Sequence, residues 1–179
     1  RPGELFGLTV DRVDFLRRSL RVDRQLVRAR GQGVELAAPK TQASYRTVPL
    51  AATVGEVLAA HLSEWPARAE LGLVFTNERG APIQQHPFAA LWQDAARRAG
   101  LPGWATPHDL RHYFASVLIR SGASVKVVQA RLGHSSAKTT LDVYGHLFAD
   151  EEDRTRAAID AEFAPQCAPD VHQGGSPPR

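Results

Sequence analysis

His108, Arg111 and His112 fall within five consecutive positions, just after a Thr106-Pro107 pair. Threonine as N-cap, proline at the first helical position and Asp109 three residues after the cap make a strong helix start. On that helix His108 and His112 stand one turn apart, the spacing of a helical zinc pair. Asp109 follows the first histidine where the metalloprotease pattern has glutamate, and a third ligand would have to come from His134 or His146. A lone histidine pair is a weak metal signal. A second chemistry fits the same turn. His108 and Arg111 are three apart and share a helix face. They lie where free backbone N–H groups and the helix dipole already favour an anion. A guanidinium and an imidazole there make a phosphate pocket. Downstream, Leu132-Gly133-His134 puts a histidine on the tight turn that a glycine makes at a helix end. Tyr144 follows ten residues later, beside Gly145-His146. Taken alone, that tyrosine reads as core packing.

The elements that position these residues are mainly helical from Ala51 onward. Val54, Val57, Leu58 and Leu62 fit one helical face, and Phe88, Leu91, Trp92 and Ala95 another, ending near Gly100. The short apolar run Leu71–Phe75 between them fits no single type. The helix that begins at Pro107 continues through an apolar stripe of Leu110, Phe114, Val117 and Leu118 and stops at Gly122. Ser124 caps the next, which turns Val125, Val128 and Leu132 inward and ends at Gly133. A further helix carries Leu141, Tyr144 and Phe148, and a last one after Asp150 carries Ala157, Ile159 and Phe163. The first third reads as the end of a helix, with Leu5 and Leu8 inward, followed by a small antiparallel sheet. Its expected strands are Leu20–Val22, Val34–Leu36 after the turn signal Gly31-Gln32-Gly33, and Tyr45–Leu50. The expected fold class is therefore α+β, a mainly helical domain with a small three-stranded antiparallel sheet.

The chain has 179 residues, 43% hydrophobic and 23% charged, the make-up of an ordinary globular protein. No apolar run approaches the roughly 20 residues of a membrane span. One cysteine, Cys167, excludes a disulfide framework and a cysteine-based zinc site. The net charge is +3, and 19 of the 22 cations are arginine, the residue suited to planar, bidentate contact with phosphate. Arg28, Arg30, Arg46, Arg97, Arg98, Arg120 and Arg131 are candidates for contact with a polyanion. Residues 164–179, with four prolines and two glycines and no apolar period, are expected to be a disordered tail. With no methionine, not even at position 1, the chain is expected to be a fragment or a processed product.

Pro107-His108-Asp109-Leu110-Arg111-His112, then Leu132-Gly133-His134-Ser135-Ser136, then Thr140-Leu141-Asp142-Val143-Tyr144-Gly145-His146 resemble, in order and spacing, the catalytic signature of the tyrosine recombinases, the phage integrase family. The likeness extends upstream. The family has Gly-Leu-Arg-x-x-Glu-Leu before its small sheet, and this chain opens Arg1-Pro2-Gly3-Glu4-Leu5, so Arg1 resembles the family's first catalytic arginine. Glu4 falls where the family has a partner that orients the pocket. Lys40, in Pro39-Lys40-Thr41 and ahead of Tyr45–Leu50, is similar in setting to the catalytic lysine that the family carries on a β-hairpin turn. The resemblance covers about residues 1–150.

The resemblance implies a site of Arg1, Lys40, His108, Arg111, His134 and Tyr144, working without metal or cofactor. Tyr144 would attack a phosphodiester and form a 3′-phosphotyrosine, freeing a 5′-hydroxyl; keeping the energy in the new link lets the reaction reverse. Arg1 and Arg111 would hold the non-bridging oxygens, with His134 adding a hydrogen bond. Lys40 would protonate the leaving oxygen, and His108 would take, or help take, the tyrosine proton. His112 and His146 would be packing or supporting groups. The implied partners are double-stranded DNA, three further copies in a homo-tetramer on two duplexes, and accessory DNA-bending or directionality proteins. The implied location is cytoplasmic and nucleoid-associated, with no membrane. Residues 1–163 would form the catalytic domain, cut at Arg1, without the N-terminal clamp domain usual in the family. The competing readings are an inactive DNA-binding remnant, a type IB topoisomerase-like nicking and closing enzyme, and a histidine-based metal hydrolase.

Overall fold

A short helix opens the chain, and the backbone runs so close behind it that a side chain would not fit. The computed structural model describes residues 1–29, 33–67, 70–83, 85–148 and 152–163. Helix α1 (Pro2–Phe6) has proline in its first turn and ends at Gly7, where a Cβ would stand 2.6 Å from the backbone nitrogen of Leu26. That contact seats α1 on strand β3. The strands are β1 (Val13–Asp14), β2 (Ser19–Val22), β3 (Gln25–Arg28), β4 (Val34–Ala37) and β5 (Arg46–Pro49). They form two sheets. One has the order β1-β2-β5, all antiparallel, with Val13 opposite Leu20 and Leu20 opposite Val48. The other is the antiparallel pair β3-β4, with Leu26 opposite Leu36.

The expected three-stranded antiparallel sheet is present, but its membership is corrected. Val34–Ala37 pairs with Gln25–Arg28 instead of entering the larger sheet, and Val13–Asp14 takes the third place. The cause is Asp23. Its carboxylate accepts from Arg12 Nε at 2.7 Å and Arg24 Nε at 2.9 Å, an ionic knot that breaks the chain between β2 and β3. The residues between β3 and β4 at positions 30–32 lie outside the described residues, and so does the stretch 164–179.

The helical body follows: α2 (Ala52–Glu64), α3 (Gln85–Arg98), α4 (Pro107–Arg120), α5 (Val125–Leu132) and α6 (Ala137–Tyr144). A 3₁₀ turn, Gly145–Leu147, continues α6. The Leu71–Phe75 run is an irregular connection in which Leu73 bridges to Thr9, Val74 N–H donates to Leu8 O at 2.9 Å, and Leu73 and Val74 are buried. Helix α4 begins as the sequence implies: Thr106 N–H and Oγ1 both donate to Asp109 Oδ2 at 2.7 Å. Ser124 caps α5, and Gly133 ends it in the left-handed conformation at φ 66°.

The core that carries the site is Ala115 and Ile119 of α4, Val128 and Leu132 of α5, and Tyr144 of α6. Full burial of a leucine such as Leu132 contributes about 1.5–3 kcal/mol. The α4 stripe is rotated from the sequence expectation. Leu110, Phe114 and Val117 are exposed, while the inward face reads Arg111, His112, Ala115, Leu118, Ile119, the first two half-buried. That face is polar in its first turns because it enters the site before it enters the core. On α2, Leu58 is buried while Val54 and Val57 are exposed. Leu5 is exposed in α1, and Phe6 takes its inward place. Residues Arg1–Phe148 form one compact unit; α7 (Glu152–Phe163) belongs to a second.

Candidate active site

Arginine side chains gather at the C-terminal end of α5. The last carbonyls of a helix have no partner within it and carry its partial negative charge. Here Gln129 O and Ala130 O accept from the backbone N–H groups of His134 and Gly133, and the carbonyls of Arg131, Leu132 and Gly133 take arginine donors from elsewhere in the chain. Arg46 Nε donates to Arg131 O at 3.0 Å, Arg111 Nη2 donates to Leu132 O, and Arg1 Nη2 donates to Gly133 O at 3.0 Å. Gln129 Nε2 donates to His134 O at 3.2 Å. The left-handed Gly133 makes this packing possible, since a Cβ there would lie 3.0 Å from both Ala43 O and Arg46 Nη1.

Like charges gathered in this way repel, and Glu4 is the counter-charge. Its side chain is 6% exposed. Arg46 Nη2 donates to Glu4 Oε2 at 2.8 Å and Arg46 Nη1 to Oε1 at 3.2 Å, a forked pair. Arg1 Nη1 donates to the same Oε1 at 3.1 Å and to Ser44 Oγ at 2.7 Å. Burial alone would raise the Glu4 carboxyl; the Arg46 hydrogen bond and the surrounding positive charge bring it below its ordinary value. Burial lowers Arg111, and the charges of Arg1 and Arg46 lower it further.

His134 follows this arginine rack directly. Its Nδ1 shares a 3.0 Å hydrogen bond with Thr140 Oγ1, a residue with no exposed surface, which fixes the ring. Nε2 has no partner among the described residues. Burial lowers the His134 pKa, and so do the charges of Arg111, Arg1 and Arg46. A neutral imidazole held in this way can still donate one hydrogen bond to an anion.

Tyr144 serves the core and the site together. Its ring belongs to the buried cluster, and its Oη shares a 2.9 Å hydrogen bond with His112 Nδ1. Burial raises the phenol pKa, and the nearby charge of Arg111 opposes this. His108 meets His112 edge to face, with ring centroids 4.8 Å apart, and makes no contact with Tyr144 among the described residues. Burial, His112 and Arg111 lower the His108 pKa. No group of three metal-ligating side chains comes together among the described residues, so the His108–His112 pair gains no third ligand there.

The fold thus brings together Arg1, Arg111, His134 and Tyr144, with His108 beside them. Lys40 stands apart. It is exposed on a bend two residues before the 3₁₀ turn Gln42–Ser44. Because β4 and β5 lie in different sheets, that connection is not a hairpin turn, as the sequence reading has it. Arg46 is corrected too: it is an internal strut holding Glu4, not a surface arginine free for a polyanion. Arg97 and Arg98 pair with Asp94, Arg131 Nη1 donates to Thr47 O at 2.7 Å, and Arg120 lies 5.9 Å from the centre of the Tyr113 ring. Arg28 is exposed, and Arg30 lies outside the described residues. Sequence reasoning missed Ser44 and Thr140, which orient Arg1 and His134. Short polar residues carry no signal of burial, and only the fold reveals them.

Two arginines and a fixed histidine around one end of a helix, with a tyrosine delivered from the next helix, define a class of protein as much as the fold does. The chain belongs to the phage integrase family, whose profile matches residues 1–151. It is 34% identical over 157 residues to the tyrosine recombinase XerD of Corynebacterium glutamicum, covering 84% of this chain and 45% of that one. It is 36% identical over 145 residues to XerD of Mycobacterium tuberculosis, covering 78% of this chain and 42% of the relative. Among solved structures, the Tn1549 transposon integrase in complex with circular intermediate DNA matches with a TM-score of 0.73 and 27% identity, over 90% of this chain and 55% of that one. The chain spans about half the length of the relatives it matches. No helix among the described residues is long and apolar enough to cross a membrane.

Proposed function

We propose that the chain is the catalytic domain of a site-specific DNA recombinase, cleaving and rejoining strands through a 3′-phosphotyrosine on Tyr144. The observation that carries this reading is the convergence of Arg1, Arg111 and His134 at the end of α5, one helix before Tyr144. The two guanidinium groups hold the non-bridging oxygens of a DNA phosphate, and His134 Nε2 donates to the same group. Tyr144 Oη attacks phosphorus, and the bond to the 5′-oxygen breaks. Lys40, on its exposed bend, protonates that oxygen. His108 assists removal of the phenol proton. Residues 1–163 act as the catalytic domain, and α7 is a contact between neighbouring copies in a homo-tetramer on two duplexes. Double-stranded DNA is the partner, with accessory DNA-bending or directionality proteins on the same sites, and the place of action is the nucleoid. Relatives that are recombinases, and an integrase solved with DNA, support this reading.

Covalent trapping tests it. The chain is incubated with a labelled pool of nicked duplexes in EDTA, denatured in SDS, and scored for protein-linked DNA beside a Tyr144→Phe variant. A shifted band that disappears in the variant is expected. A band that persists without the tyrosine hydroxyl overturns the assignment of the nucleophile. Retained DNA with no covalent product favours an inactive binding remnant.

A further inference from the structure

We propose that His112 is a catalytic residue of this site, its Nδ1 being the atom that takes the Tyr144 phenol proton. The inference rests on the reading of Tyr144 as nucleophile. The phenol is buried and needs a base, since burial raises its pKa. Among the described residues, His112 Nδ1 is the one basic atom within hydrogen-bond distance of Oη, at 2.9 Å. No carboxylate reaches Oη there. Imidazole is the side chain best suited to accept a proton near neutral pH. For Nδ1 to accept, the ring's own proton must sit on Nε2, and Nε2 has no partner among the described residues that would demand its lone pair.

The ring is also held in place for the task. The His108 ring stands edge-on to the His112 ring at 82°, and the Tyr144 ring lies 5.6 Å from it, centroid to centroid. The charged and titratable groups around it are His108, Asp109 and Arg111 from its own helix, Tyr144 from α6, and His146 from the turn Gly145–Leu147, which packs on α4. Arg111 favours the phenolate. The step balances. The O–H bond of Tyr144 breaks, its electron pair forms the new O–P bond, and the proton passes to Nδ1. The P–O5′ bond breaks, and the 5′-oxygen takes a proton from Lys40. On rejoining, the His112 proton returns to the phenol.

The test has two arms. In the first, the ¹⁵N spectrum of histidine-labelled chain is recorded without DNA, for the wild type and Tyr144→Phe. The expected result is an Nε2–H tautomer for His112 whose Nδ1 resonance shifts when the phenol hydroxyl is removed. An Nδ1–H tautomer makes His112 the donor in this bond and overturns the proposal. In the second arm, cleavage of the nicked-duplex pool is followed across pH. His112→Asn keeps an acceptor near the Nδ1 position and takes no proton. Its rate at neutral pH is expected to fall by about 10²–10⁴-fold, the usual contribution of a general base. The rate should climb about tenfold per pH unit where the wild type has levelled off, with KM unchanged. Added imidazole should restore His112→Ala. A wild-type rate and pH profile in His112→Asn overturns the proposal, as does a loss in both variants that neither pH nor imidazole recovers. Failure of the wild type to form any covalent product counts against Tyr144 as nucleophile, and the tautomer measurement still decides the bond.

Discussion

Replacing Arg46 by alanine would leave the Glu4 carboxylate buried, without its forked partner, and Arg1 with a counter-charge free to turn away. Removing one member of a buried ion pair costs about 3–5 kcal/mol, so urea denaturation of Arg46→Ala should show a loss of that order. Arg46→Lys keeps the charge and loses the fork, and should fall between the two. Thr140→Val tests a finer point. The shape is kept at a fully buried position and only the hydrogen bond to His134 Nδ1 is lost. Covalent product on the nicked-duplex pool should fall several-fold to about tenfold, in line with about 0.5–1.5 kcal/mol for one hydrogen bond, with the melting temperature moved by a few degrees. At this scale the sequence was informative about residues with strong chemistry. His108, Arg111 and His134 announced themselves by type and spacing, while Tyr144, which alone reads as core packing, joined them through the family resemblance. Arg46, Ser44 and Thr140 did not, because a buried strut and a surface arginine look alike in one dimension.

The C-terminus of α5 acts as a single device, and Gly133 is its weakest point. An L-residue at φ 66° costs about 1–2 kcal/mol from backbone strain alone. A Cβ would also press on Ala43 O and on Arg46 Nη1 at 3.0 Å. Gly133→Ala should therefore lose more stability in urea than the strain accounts for. It should also lose trapped covalent product, since Arg46 cannot retreat without releasing Glu4. If Gly133→Ala loses only the strain energy and cleaves as the wild type does, the α5 terminus does not hold the arginines. The helices themselves were legible, because Thr106-Pro107, Gly122, Ser124 and Gly133 punctuate them through local chemistry. Their inward faces were less so. On α4 a hydrophobic count selects Leu110, Phe114 and Val117, whereas the side that leads into the core passes through the half-buried Arg111 and His112 to Ala115 and Ile119. The strand partners of Val34–Ala37 were hidden for another reason: pairing was decided by the Asp23 knot, a contact between side chains from three segments.

Across the whole molecule the charges act in one direction. His108 and His134 are lowered in the fold from an ordinary 6.5, so the unfolded chain binds protons more readily as the pH falls below that value. Stability then falls with acidification. Glu4 and Asp23 are lowered from 4.5 and 3.8, and their contribution, present above those values, is lost as the pH drops through their folded pKa values. The melting temperature should decline in two stages, the first below about pH 6.5 and the second in the carboxylate range. A flat profile between pH 7 and 5 would mean that the two histidines are not desolvated beside positive charge as described. Arg1, Arg46 and Arg111 share one counter-charge, so an added anion should bind the folded state preferentially. Inorganic phosphate at 100 times its dissociation constant should add about 2.7 kcal/mol, read as a rise in melting temperature that the Arg111→Ala variant lacks.

The bond from Arg1 to the carbonyl of Gly133 joins residues 132 positions apart. Synthesis proceeds at about 5–20 residues per second, and Arg1 emerges well before Gly133. While Gly133 is still inside the tunnel, the first arginine has nothing to lean on, and Tyr144 emerges later still. Under the proposed reading, a growing chain beside DNA is therefore harmless. The power to cut a strand is withheld until Gly133 and then Tyr144 have left the tunnel.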